Sequence, residues 1–156
     1  MPDHVAKQVL DQVVTTCTGL STTGANVYRS RVHTMVESKL PALLIYSRED
    51  VLEEEMTAMQ TDGTKGMHYV LTVSIDAIEK DASETTAEDN LFTIRKEVQT
   101  AMEADLTLSS TCDDLWMTEA TIEDRTGAGD SPVLVMTMLW QFRYRVKQGA
   151  PSTVLS

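Results

Sequence analysis

The chain has 156 residues, 42% of them hydrophobic and 24% charged, with a formal net charge of −11. That length supports one domain with its own core, and that apolar content excludes wholesale disorder. The acidic excess argues against a sequence reader of nucleic acid, because phosphates and carboxylates repel.

The charge is segregated. Residues 49–124 hold twenty acidic and four basic side chains, whereas both flanking stretches are mildly basic. No stretch approaches the roughly 18 apolar residues of a membrane span; the longest nearly apolar run, Val133 to Trp140, is broken by Thr137. Met1-Pro2-Asp3-His4 lacks the basic start of a secretory signal. Two cysteines, Cys17 and Cys112, make no disulfide framework and read as reduced thiols.

Asp3 to Cys17 reads as an amphipathic helix, with Val5, Val9 and Val13 at four-residue spacing, Asp3 as its cap and Gly19 as its stop. Gly19 to Gly24 is a loop, and Val27 to Met35 a strand carrying Arg29 and Arg31. Ala42 to Tyr46 follows as a dense apolar strand. Arg48 to Thr64 has an irregular pattern with Glu53, Glu54 and Glu55 in a row. It is expected to be a mobile acidic arm, at about residues 48–66.

Met67 to Glu79 alternates as a strand, with Tyr69, Leu71, Val73, Ile75 and Ala77 facing one way. Ser83 to Asp105 is a second helix, capped by Ser83 or Thr85 and buried through Leu91, Ile94, Val98, Ala101 and Met102. Leu115 to Asp124 reads as a strand, Gly127 to Pro132 as a hairpin turn, and Val133 to Val146 as a long last strand. That last strand puts Leu134, Met136, Met138, Trp140, Phe142, Tyr144 and Val146 on one face, and Thr137, Gln141, Arg143 and Arg145 on the other. Residues 148–156 form a polar tail, expected to be flexible. The expectation is a single α+β domain over residues 1–147, with two helices on one face of a mixed, mostly antiparallel sheet of four to five strands.

Chemistry is sparse in this pattern. Gly19 and Gly24 have the spacing of a phosphate loop, but Ala25-Asn26 stands where Lys and Ser/Thr are needed, and the segment follows a helix. His4, His33 and His68 lie far apart, so no zinc-type ligand set forms. Asp113 and Asp114 beside Cys112 raise the cost of its thiolate, and Cys17 lies on the apolar stripe. No catalytic group, cofactor or metal is expected. A small-molecule-binding α+β module remains an alternative.

The element order, with Leu40-Pro-Ala-Leu-Leu-Ile-Tyr46, Arg48-Glu-Asp-Val-Leu-Glu-Glu-Glu55, Asp89-Asn-Leu-Phe-Thr-Ile-Arg-Lys-Glu-Val98 and a closing strand Val133 to Val146, resembles the tail terminator proteins of long-tailed bacteriophages, the lambda minor tail protein U-like family. The resemblance spans roughly residues 3–147. It departs in a longer segment from Gly19 to Met35 and in the tail beyond Lys147, so contacts of those parts are not carried over.

The resemblance implies a structural virion protein, assembled in the host cytoplasm as a homohexamer ring on the head-proximal end of the tail tube. Such a ring halts polymerisation of the tail tube protein and offers its other face to the head–tail connector or neck protein. Genomic DNA passes through its channel without sequence-specific binding, and no membrane is involved. Another head–tail neck or tail-completion protein is the alternative of the same kind. The expected ring interface comprises Arg29, Arg31, Glu53, Glu54, Glu55, Arg143 and Arg145. The three glutamates either pair with the arginines of a neighbour, the favoured case, or line the channel.

Overall fold

The long alternating segments build one sheet, and both helices lie against the same side of it. The computed structural model describes residues 2–29, 32, 39–54, 58–59, 63, 65–127 and 131–155. The elements run α1 (Val5–Cys17), β1 (Val27–Tyr28), β2 (Ala42–Leu52), β3 (Ala58–Met59), β4 (Lys65–Lys80), α2 (Glu84–Glu103), β5 (Asp114–Asp124), β6 (Val133–Lys147) and β7 (Ala150–Val154). The main path across the sheet is β1-β2-β4-β6-β5, with β3 added to β4 and β7 to β6. Only β1 and β2 run parallel among these pairs; the others are antiparallel.

The five-strand path is the sheet the hydrophobic alternation predicts. β4 and β6 pair without a shift from Gly66–Lys147 to Lys80–Val133. An unbroken register of that length follows from the period of two, since a one-residue slip would carry every core side chain to the opposite face. Trp140, Phe142 and Tyr144 are fully buried, with Met136 and Met138 beside them. Facing them are Val5, Val9 and Val13 of α1 and Leu91, Ile94 and Val98 of α2, all in one cluster with Val73 and Ile75. Burying one large apolar side chain contributes about 1.5–3 kcal/mol, so this layer supplies most of the fold's stabilisation.

The caps divide between expectation and correction. Ser83 caps α2, its hydroxyl accepting from the Thr86 amide at 3.4 Å. The cap of α1 is His4 rather than Asp3: Nδ1 accepts from the Ala6 amide at 3.1 Å. Asp3 is instead held by the Lys7 ammonium at 2.8 Å, which takes its carboxylate off the helix end. Gly19 leaves α1 at φ +90°, a conformation that a side chain would strain.

Three further expectations change. Residues 48–52 belong to β2, not to an arm; the strand continues past Tyr46 because β4 extends opposite it, with Asp50, Val51 and Leu52 facing Leu71, Val70 and Tyr69. The acidic residues hid this by occupying positions that face solvent at the sheet margin. The tail is not loose: β7 pairs with β6, the Gln8 amide group donates to the Ser152 carbonyl at 2.9 Å, and Val154 packs on the core. The strand expected over Val27 to Met35 is present as Val27–Tyr28; its stretch at 30–31 and 33–35 lies outside the described residues, as does 128–130 of the hairpin turn.

One local feature gave no signal in the sequence. Leu108, Ser109 and Ser110 take positive φ angles of 48°, 56° and 63° in succession. The Asp105 carboxylate holds this turn, accepting from the Thr107 and Ser109 amides at 3.0 and 2.8 Å.

Candidate interface on the open sheet face

Because both helices lie on one side, β6 sends alternate residues to opposite environments. Arg143 and Arg145 stand on the face away from the helices, flanking the buried Tyr144. The Arg143 guanidinium donates to Glu53 through Nε at 2.8 Å and a terminal nitrogen at 3.3 Å. Arg145 does the same to Asp113 at 2.7 and 3.1 Å. Two-point contacts of this kind match the planar fork to the carboxylate. Each partner holds its guanidinium above the ordinary arginine range.

The register around these pairs defines a patch. One row across the sheet reads Val51, Val70, Arg143 and Asp114; the adjacent row reads Glu49, Thr72, Gln141 and Trp116. Arg143 lies over the Trp116 ring at 5.4 Å, and the Trp116 indole N–H donates to Gln141 at 3.1 Å. His68, opposite Arg145, is held below the usual imidazole range by burial and then by that cation. The patch holds two ion-paired arginines, the carboxylates of Glu49, Glu53, Asp113 and Asp114, an aromatic ring and two valines.

Of the expected interface residues, the structure brings Arg143 and Glu53 together and sets Arg145 beside them. It does not bring Arg29 there. Arg29 lies near α1, paired with Asp11 at 2.9 Å. Glu54 is exposed just past β2, while Arg31 and Glu55 lie outside the described residues. Glu53 thus has a cation of its own chain before any neighbour arrives. Sequence reading missed Asp113, Trp116 and Val51, although period-two counting from Leu115 already put Trp116 on the outer face.

The opposite face carries a second polar cluster. Tyr144 donates its hydroxyl to Asp50, stacks on Tyr69 at a centroid distance of 5.5 Å and meets the His4 ring edge-on at 6.4 Å. Burial pushes both the Asp50 carboxyl and the Tyr144 phenol upward. The other sequence candidates are structural in place. The Gly19–Gly24 loop closes on itself with Gly19 donating to Gly24 at 2.8 Å, and its Thr22 amide donates to Glu97 of α2 at 2.9 Å. An amide committed to a carboxylate is not set to cradle phosphate. Burial pushes both thiols, Cys17 and Cys112, up to about 12. Among the described residues, no three His, Cys, Asp or Glu side chains gather to hold a metal ion, and no helix is long and apolar enough to cross a membrane.

No protein-family model and no curated protein matches the chain. Among solved structures, it is similar to a chain described as "Virion of native gene transfer agent (GTA) particle", at 15% identity and a TM-score of 0.41, over 90% of this chain and 92% of that one. A superposition that loose carries no argument about role.

Proposed function

We propose that the protein is a structural component of a phage-type virion, acting as a tail terminator. Copies assemble as a homohexamer ring on the head-proximal end of the tail tube, stop its polymerisation and present a surface to the head connector. The observation that carries this reading is a two-layer domain whose helices cover one sheet face, with part of the other face presenting a platform whose two arginines are already paired within the chain. Such a surface serves contact between proteins, because its cations are already matched and bring no unpaired charge into an interface.

The resemblance described above supplies the tail context, and the acidic excess suits a channel that DNA must slide through without sticking. The role is assembly rather than catalysis. Burial holds both thiols well above the ordinary cysteine range, and the two arginines of the open face are paired with Glu53 and Asp113.

The test is to add purified protein to tail tubes that lack a terminator and examine them by electron microscopy. The expected result is a ring at one end of each tube and no further growth when tube subunits are supplied. Protein that ignores tubes and binds the connector alone would make it a neck protein instead. Protein that binds neither removes the virion reading.

A further inference from the structure

The geometry points to the outer edge of β5 as a docking site for an extended segment of another protein, one that alternates basic and apolar side chains. β5 ends the sheet path, with β6 on one side and no strand on the other among the described residues. An edge strand turns every second N–H and C=O away from its neighbour, and an added strand is what satisfies a row of such groups. The first half of this edge is broken: the register shifts between Met117 and Glu119, and the Asp114 carboxylate accepts from the Leu115 amide at 2.9 Å. The second half is regular. Pairing with β6 runs unshifted from Glu119–Leu139 to Asp124–Leu134, and the Arg125 amide just beyond donates to the Val133 carbonyl at 2.8 Å. Counting back by twos from Arg125 turns the amides of Glu123, Thr121 and Glu119 inward and leaves those of Asp124, Ile122 and Ala120 pointing outward.

The side chains of this stretch define what the added strand carries. Ile122 and Ala120 face the helix side, opposite Met136 and Met138, but α2 packs on β4 and β6, and Ile122 is left 40% exposed at the margin. Glu119, Thr121 and Glu123 face the other way and are exposed. Arg125 meets Glu123 at 3.0 Å in water, whereas Glu119 makes no ion pair among the described residues. An incoming strand therefore sets apolar side chains beside Ile122 and basic ones beside Glu119 and Glu123, while its backbone pairs with the outward amides. β5 of a second copy does not meet that requirement: residues 114–124 hold four carboxylates and no Lys or Arg, so two such strands repel.

The probe is an acetylated heptapeptide of alternating lysine and valine, titrated onto the full chain and followed by calorimetry and amide exchange. One control peptide has the same composition with its lysines grouped; a second keeps the alternation with its backbone amides methylated. The alternating peptide is expected to bind and to slow exchange at Ala120, Ile122 and Asp124, and both controls to bind at least about tenfold more weakly. Ile122→Pro removes one outward amide together with the apolar contact and is expected to weaken binding at least about fivefold. Where that variant also lowers the unfolding midpoint, the methylated peptide still tests the backbone bonds on the unaltered chain. Equal binding by all three peptides would mean attraction by net charge alone and overturns the proposal. So does an alternating peptide that fails to bind, protection confined to other strands, or wild type that dimerises through β5 without peptide. No ring or tail tube enters the measurement, so its failure is distinct from failure of the terminator reading.

Discussion

The Tyr144 hydroxyl donates to the Asp50 carboxylate across β4, tying the last long strand to a residue 94 positions earlier. The bond lies on the helix side of the sheet and anchors the half of β2 that β1 does not reach. Tyr144→Phe keeps the ring packing but removes the donor to Asp50, a residue with access to water. The expected loss is about 0.5–1.5 kcal/mol in chemical denaturation. An unchanged midpoint would show that water replaces the phenol without cost.

The same carboxylate fixes a pH dependence. Burial raises the folded-state pKa of Asp50 above its unfolded value, against the lowering effect of the Tyr144 donor. The folded chain therefore binds the proton more readily, and this group adds stability as pH falls through the window just above the ordinary Asp value of about 3.9. Asp50→Asn lacks that response. Stability of wild type relative to Asp50→Asn is expected to rise on acidification from pH 7 towards pH 4; a difference that falls contradicts the sign.

The core was legible in the sequence because β6 and α2 bury one face each, and a single buried face prints its period on the residues; β4 is buried on both faces from Leu71 to Glu79, yet Thr72, Ser74 and Asp76 on the side away from the helices keep the alternation visible. Trp140→Ala or Phe142→Ala is expected to cost about 3–5 kcal/mol, whereas Val51→Ala on the open face stays within about 0.5 kcal/mol. Equal effects at buried and exposed positions would contradict the assignment of faces. The outer half of β2 was not legible, since Arg48, Glu49 and Asp50 at a sheet margin have the composition of a loop. Nor was the pairing of Glu53 with Arg143, because residues 90 apart are joined only through the register of three strands.

The turn at Leu108–Ser110 stores strain that glycine relieves, since a side chain in the left-handed region costs roughly 1–2 kcal/mol. Glycine also loosens the unfolded chain, so Ser109→Gly and Ser110→Gly are each expected to gain about 0.5 kcal/mol net. Asp105 is held below its ordinary range, first by the Ser109 amide and then by Thr107. Its contribution is present above the unfolded value of about 3.9 and disappears as pH falls through the lower folded value. The stability gap between wild type and Asp105→Ala should therefore close in acid; a gap that persists below pH 2 refutes this.

Glu53 and Arg143 form a partly exposed pair, so Glu53→Gln is expected to change stability by less than about 1 kcal/mol. Glu53→Lys sets two cations together and should lower the thermal midpoint more, with Arg143→Glu in the same chain restoring it. Failure of the charge swap to restore the midpoint would mean that the pair does not form in solution.

The final expectation concerns the C-terminal segment, whose Gly149, Pro151 and small polar residues read as a loose tail. In the fold, the Leu155 amide donates to the Arg145 carbonyl at 2.9 Å, Ser152 accepts from Gln8, and Val154 covers part of the core. These contacts clamp the start of α1 against the end of β6, the strand that also carries both arginines of the platform. The Gln8–Ser152, Leu155–Arg145 and Gln148–Lys65 hydrogen bonds at about 1 kcal/mol each, with the β6–β7 pairing and partial burial of one valine, give a loss of at least about 3 kcal/mol when residues 148–156 are removed. Gln8→Ala should reproduce about 1 kcal/mol of it without touching the strand. Amide exchange at Arg145 to Lys147 is expected to quicken in the truncated chain while Trp140 and Phe142 remain protected. If truncation leaves both the unfolding midpoint and that exchange unchanged, β7 is not held in solution and its polar composition describes it better than its pairing.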